Sequence, residues 1–396
     1  MKKILLTTIA LLTVASAQVF GLYGVDSGDW ITFLTDGNRF EDKLDQLGFT
    51  LGNDMIKGTF GFHENRGFYG SMLRSISGTP TGGAQAVDDF FYRFDPTISM
   101  GLGYTSSIIG VGYNATIGPV WDRYNGKTES KKVEAVVHTP VLVLNALDNA
   151  FRMAIPIQVV HLTDKYEGGN KGSVTAVSLE AQFRYYSGLD VLPQVRLYLK
   201  YGNYGYNYTY SGVNEKGKFA ESFGFDLRFY FGSMVEEVAL QPIVKLVYNG
   251  ALGKQHNVRS VTALSALDDA AGVFGNLQNF LNGSIVSPSS YSTGATWEQN
   301  AWDLTLAPAL GLTANSDIVS LYFEPSLGLK ITQEGSDVEK IKENYALVYD
   351  VYAEIYITPI RNLEWYFEAS IGNQATANAA LAFAGTTGIT WYLPAL

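Results

Sequence analysis

The chain lacks most of the groups that carry chemistry in exported proteins. It contains no cysteine, which excludes disulfides, thiolate metal sites and cysteine nucleophiles. The histidines His63, His138, His161 and His256 are not spaced as metal-ligand pairs. A G-x-S-x-G turn and a P-loop are also missing from the sequence. The sequence therefore predicts that the protein is not an enzyme and has no catalytic site, metal site or cofactor.

Positive charge is scarce as well. The 28 Lys and Arg residues are outnumbered by 38 Asp and Glu residues, which gives a net charge of -10. A surface of this sign does not attract nucleic acid, so we expect no nucleic-acid partner.

Long apolar runs are absent except for a short one at the start. The residues Ile4 to Val14 follow Lys2 and Lys3 and precede the small residues at 15–17. This order is typical of a signal peptide, and we assign it to residues 1–17. No later stretch reaches the roughly 18 apolar residues that a membrane-spanning helix needs.

What the sequence does contain is an alternation of apolar and polar residues with a period of two. In Val177 to Tyr185 the odd positions are apolar and the even positions are polar, and the pattern returns at 194–201, 222–231 and 363–371. Strict alternation predicts β-strands. A chain of such strands behind a signal peptide predicts an all-β fold, a transmembrane antiparallel β-barrel.

The connections between these strands alternate between short and long. Short connections fall near 105–106, 146–149, 188–189 and 315–316, whereas the longest connection spans 249–299. This asymmetry is typical of outer-membrane barrels, whose long loops face outward. We predict a barrel domain over 49–396 with about 14 strands, within a range of 12–16. The segment 56–62 also alternates and adds a further candidate strand. Within the long surface loop, the apolar spacing of 261–281 predicts a short helix.

The segment 18–48 between the signal and the barrel has a different pattern. Phe33, Phe40 and Leu44 recur at helical spacing, and Gly48 stands at a typical stop position. The spacing predicts an amphipathic helix over 29–47, packed at one end or mouth of the barrel.

The alternation assigns residues to two faces of the wall. We expect an apolar face toward lipid formed by Leu179, Phe183, Val195, Leu197, Phe225, Leu227, Leu304, Leu306, Leu327, Leu329, Val351, Ile355, Trp365 and Phe367. The residues on the opposite parity are candidates for the lining of the lumen: Glu180, Arg184, Arg196, Lys200, Asp226, Arg228, Lys245, Asp303, Glu324, Lys330, Asp350, Glu354, Glu364 and Glu368. Such mixed charges are ordinary in a water-filled barrel and do not by themselves indicate catalysis.

The first residues also carry a family resemblance. The matching stretches are 19–24, 30–40, 44–49, 51–54 and 56–61. Over residues 1–62 the chain resembles the variable surface protein family of Brachyspira spirochaetes, and the remainder is similar in length and style. The resemblance implies an abundant outer-membrane surface antigen that takes part in antigenic variation. It implies no catalytic residues.

Two functions remain open from the sequence. The first is a surface antigen whose barrel holds loops that face the host, with outer-membrane lipid around it. Host immune or surface molecules are then expected partners of the loops, and a homo-oligomer is left open. The second is a general porin that passes small solutes through a charged lumen. An outer-membrane hydrolase would need a nucleophile or carboxylate constellation, and no such constellation is found in this sequence. A soluble periplasmic or secreted β protein would not have so many strands with an aromatic face.

Overall fold

The computed structural model describes residues 31, 37–43, 46–63, 97–117, 136–165, 171–210, 213–235, 238–252, 298–336, 342–373 and 381–394. The predicted signal peptide and the predicted helix at 261–281 lie outside these residues. The described residues form one antiparallel sheet of β-strands. The strands are β1 (Arg39–Lys43), β2 (Gln46–Gly52), β3 (Ile56–His63), β4 (Thr97–Thr105), β5 (Ile109–Ile117), β6 (Val136–Ala146), β7 (Phe151–Lys165), β8 (Lys171–Tyr186), β9 (Gln194–Tyr210), β10 (Val213–Tyr230), β11 (Ser233–Val235), β12 (Val238–Ala251), β13 (Trp302–Asn315), β14 (Val319–Gln333), β15 (Asn344–Ile360), β16 (Leu363–Gly372) and β17 (Ala382–Tyr392).

The sheet closes on itself into a barrel. Each strand pairs with its neighbours in the chain, and β1 also pairs with β17, where Arg39 lies opposite Tyr392. The short β11 continues β10 along β12, so the wall has 16 strands in the described part of the chain. The predicted antiparallel barrel is confirmed, with a strand number at the upper limit of the expected range. The additional strand expected at 56–62 is β3.

The helix predicted at 29–47 is wrong where the structure describes it. Residues 39–43 form β1 and residues 46–47 begin β2. Phe40 and Phe49 point outward and are opposite each other in the β1–β2 register, so the apolar residues that suggested a helical period also fit a hairpin. The pairing of β1 with the distant β17 closes the wall and overrides the local helical pattern.

The two ends of the barrel differ in their connections. At one end, tight turns join β2 to β3, β4 to β5 and β13 to β14. In these turns the side chains of Asn53, Ser106 and Ser316 accept hydrogen bonds from backbone N–H groups two and three residues ahead. Such local bonds favour tight turns because they replace the lost ladder bonds. The connections after β3, β5, β12 and β14 all leave from the opposite end.

The wall has two different faces. β6 alternates between buried and exposed residues along its length, as curvature crowds the side chains on the inner face. Large apolar residues on the outer face are strongly exposed, among them Leu102, Leu306, Leu327, Leu329, Ile355 and Trp365. An exposed apolar band of this extent is typical of a wall that contacts lipid. Among the described residues, no helix has the length and hydrophobicity to span a membrane.

Ile31, which precedes β1 in the chain, lies inside the barrel. Ile31 is 1% exposed and packs against Val141, Val143 and Ala154 on the inner face of β6 and β7. The inner wall is therefore apolar in this sector, whereas the next strands carry charge.

Candidate functional site

The candidate site is the charged inner face of β8 to β16. The strand registers show that the charged residues share one face of the sheet. Glu180 lies opposite Lys200, Arg228 lies opposite Lys245, and Glu354 lies opposite Glu368. The residues predicted to line the lumen occupy this face: Glu180 and Arg184 on β8, Arg196 and Lys200 on β9, Asp226 and Arg228 on β10, Lys245 on β12, Asp303 on β13, Glu324 and Lys330 on β14, Asp350 and Glu354 on β15, and Glu364 and Glu368 on β16.

Many of these side chains form ion pairs with each other. The Arg228 guanidinium donates to Asp226 at 2.6 Å, and Lys245 reaches across β13 to Glu324. A longer pair joins Lys200 to Glu180 at 3.8 Å. Lys330 also contacts Asp303 at 2.8 Å. The charges of the inner face are thus partly neutralised by neighbours on the same wall.

Five basic residues nevertheless form a continuous line on adjacent strands. Arg152 lies opposite Arg184, Arg184 opposite Arg196, Arg196 opposite Arg228, and Arg228 opposite Lys245. We call these five residues the basic row. Arg152 was missed in the sequence because the inner residues after it on β7 are mostly apolar, so polarity does not alternate there.

Tyrosine rings support the arginines of this row. The guanidinium carbon of Arg196 lies 4.7 Å from the centre of the Tyr230 ring, and that of Arg228 lies 5.2 Å from Tyr198. The guanidinium carbon of Arg152 lies 5.8 Å from the ring of its neighbour on the next strand, Tyr186. Cation–π contacts of this kind orient a guanidinium without cancelling its charge.

Carboxylates and tyrosines gather on β14 to β16. The Tyr352 hydroxyl lies between Glu354 and Glu368 and contacts both, the latter at 2.8 Å. Tyr322 donates to Glu324 on the same strand. The paired tyrosines were not singled out from the sequence, although their parity with the glutamates is the signal that identifies them.

Two further acidic residues have hydroxyl partners in this sector. Ser370 donates to Asp350 at 2.7 Å, and Tyr392 donates to Glu364 at 3.3 Å. Among the described residues, no group of three His, Asp or Glu side chains is arranged to hold a metal ion. The inner face therefore presents a basic sector on β7 to β12 beside an acidic sector on β14 to β16.

One protein-family model matches nearly the full length of the chain. The family model described as Serpulina hyodysenteriae variable surface protein matches residues 2–392. This match confirms the resemblance of the first 62 residues and extends it over the strands of the barrel. No curated protein matches the chain.

The solved structures that match the chain are remote in sequence. The translocator domain of the autotransporter NalP from Neisseria meningitidis is 12% identical, with 90% of this chain and 89% of that chain covered and a TM-score of 0.32. A bacterial polysaccharide outer membrane secretin is 10% identical, with 90% and 97% covered and a TM-score of 0.41. OmpT, an outer membrane protein of Vibrio cholerae, is 9% identical, with 90% and 96% covered and a TM-score of 0.33.

Proposed function

Because the chain belongs to the Serpulina hyodysenteriae variable surface protein family, we propose that it is an outer-membrane surface antigen whose long connections face the host. The observation that carries the proposal is the asymmetry of the barrel ends, combined with the family match. Tight turns occupy one end, and the long connections leave from the other. In outer-membrane barrels the short turns lie on the periplasmic side and the longer loops lie outside.

The apolar outer wall supports the membrane part of this proposal. Its exposed leucine, phenylalanine and tryptophan side chains would be unfavourable in water and favourable against acyl chains. Outer-membrane lipid is therefore the expected surrounding of the barrel. Host immune or surface molecules are the proposed partners of the loops. That the protein has no enzymatic activity stays a prediction from the sequence.

Single-cysteine labelling tests the orientation, because the native chain offers no competing thiol. Lys342 is exposed in the connection between β14 and β15, and Asp317 is exposed in the turn between β13 and β14. A membrane-impermeant maleimide should label Lys342→Cys on intact cells. The matched variant Asp317→Cys should be labelled only after the outer membrane is permeabilised. The reverse pattern would contradict the proposal.

The antigen role has its own test. Antibodies raised against the folded protein should bind intact cells, and deletion of residues 253–297 should remove a large part of that binding. Equal binding to cells that lack the protein would refute the role.

A general porin is the second candidate function. It is supported by the partial exposure of the inner charged side chains, since Arg228 and Lys330 each keep 31% of their side-chain surface exposed. Side chains in a fully packed core would be covered, whereas exposed charges suit a lumen that holds water. Stable conductance steps in planar bilayers, larger after deletion of residues 253–297, would support the porin. Insertion without conductance would refute it.

A further inference from the structure

We propose that the basic row, formed by Arg152, Arg184, Arg196, Arg228 and Lys245, binds small oxyanions inside the barrel. Phosphate, sulfate and small carboxylates belong to this ligand class, since each offers acceptor oxygens and negative charge. The inference goes beyond the surface role, and it does not depend on whether the lumen conducts.

The register of the row is the first argument. Cationic residues lie directly opposite each other on every neighbouring pair of strands from β7 to β12. Like charges in directly opposite positions destabilise an antiparallel pair. An anion bound among them converts this repulsion into attraction, so the arrangement suits a ligand better than it suits stability of the empty wall.

The balance of charge is the second argument. Asp226 and Glu324 contact two of the five cations, namely Arg228 and Lys245. Three of the five cations, Arg152, Arg196 and Arg228, lie over tyrosine rings, which orient a guanidinium without cancelling its charge. Burial strengthens the attraction for an anion, because the effective dielectric of a protein interior is lower than that of water.

The orientation of the donors is the third argument. The guanidinium of Arg196 lies over the Tyr230 ring, a contact that orients the group without using its N–H groups as hydrogen-bond donors. Arg228 lies over Tyr198 in the same way, and its Nε and Nη2 atoms donate to Asp226. A planar guanidinium held in this way is preorganised for two parallel hydrogen bonds to an oxyanion.

Unsatisfied donors provide the fourth argument. Within the described residues, the Nε atom of Arg152 and the Nε2 atom of Gln194 are buried and have no hydrogen-bond partner. Gln194 lies on β9 one inward position from Arg196. A buried donor without an acceptor costs free energy that a bound oxyanion would recover.

The row also has a direction. Strands about 4.8 Å apart place its two ends roughly 19 Å from each other along the wall. Because barrel strands tilt by about 35 to 45°, a line across them runs obliquely along the barrel axis. The row is therefore a basic track along part of the barrel axis.

Equilibrium binding tests the proposal without requiring conduction. Inorganic phosphate is titrated calorimetrically into the full-length protein, refolded in a zwitterionic detergent at low ionic strength. The protein should bind phosphate, and Arg152→Gln and Arg196→Gln should each weaken binding about tenfold, as expected for one lost charge-assisted hydrogen bond. Arg361→Gln is the matched control, because Arg361 is exposed in the turn between β15 and β16. It should bind as the native protein does.

Three results would overturn the proposal: no phosphate binding by the native protein, native affinity in both row variants, or an equal loss in Arg361→Gln. Circular dichroism and urea unfolding verify that each variant is folded. If Arg196→Gln does not fold, the more exposed Arg152→Gln decides the test. Bilayer conductance is measured separately. Phosphate binding without conductance would support the anion site and refute the porin. Conductance without phosphate binding would support the porin and refute the anion site.

Discussion

Leu327→Arg should destabilise the barrel strongly, whereas Ser326→Arg should not. Leu327 lies in the central part of β14, on the outer face, with 56% of its surface exposed. The neighbouring Ser326 points inward and lies opposite Asp350. The two substitutions add the same side chain to adjacent positions on opposite faces of one strand.

The magnitude follows from where the guanidinium is placed. An arginine on the lipid face near the membrane midplane costs about 2 to 4 kcal/mol. At 1.4 kcal/mol per factor of ten, this lowers the folding equilibrium constant roughly 30- to 700-fold. An arginine at position 326 meets the Asp350 carboxylate instead, and this interaction is worth about 0 to 1 kcal/mol.

Urea unfolding of the protein refolded into lipid vesicles measures the difference. Leu327→Arg should lower the unfolding midpoint while the slope stays constant. Ser326→Arg should remain close to the native midpoint. Equal midpoints for the two variants, or a larger loss in Ser326→Arg, would refute the assignment of the two faces.

Two further predictions concern packing and charge inside the wall. Gly328→Ala should lower the free energy of unfolding in urea by about 1 to 3 kcal/mol, because a Cβ there would lie 2.4 Å from the carbonyl oxygen of Leu306. Gly58→Ala is the control and should cost little, because a Cβ at that position would have no atom nearer than 3.7 Å. Equal losses in the two variants would contradict the close approach at Gly328. A double-mutant cycle of Lys245→Met and Glu324→Gln should give a coupling energy of about 1 to 2 kcal/mol, and a coupling near zero would show that the ion pair across β13 does not contribute to stability.

The alternation of polar and apolar residues does not show how much room an inward position has. Alternation places Gln182 on the inner face, where an added arginine would be expected to cost little. The structure shows that Gln182 is only 3% exposed and is opposite Tyr198. A larger side chain has no room at this position, so we expect Gln182→Arg to be destabilising as well. Parity predicts the face of a strand, but not the space available on it.

The fold class could be predicted because period-two alternation is a local property of each strand. The identity of the two strands that close the barrel could not be predicted, since it depends on the pairing of Arg39 on β1 with Tyr392 on β17 across nearly the whole chain. The strands β1 and β2 are short, and their apolar residues fit a helical period as well as a strand period. Local spacing therefore favoured the wrong element over 39–47.

Part of the candidate site could be predicted from the sequence, because the alternation of polar and apolar residues is a local property of each strand. The individual charges were visible as polar residues between apolar ones, as at Arg184 on β8. Their alignment into a row depends on strand registers, which are set by turn geometry together with the polarity pattern and so cannot be obtained from the polarity of single strands alone. Arg152 escaped notice because Ala154 and Pro156 follow it on the inner face of β7, so the inner face there is not marked by polarity.

In a membrane barrel, β14 presents one face to lipid and the other to the interior. Spin labels on single cysteines placed at successive positions from 321 to 330 test it directly, by collisional accessibility to oxygen and to a water-soluble nickel chelate. We expect a period of two, with oxygen accessibility favoured at the odd positions and with the even positions shielded from lipid. Equal accessibility to the nickel chelate on both faces, or a period other than two, would contradict it.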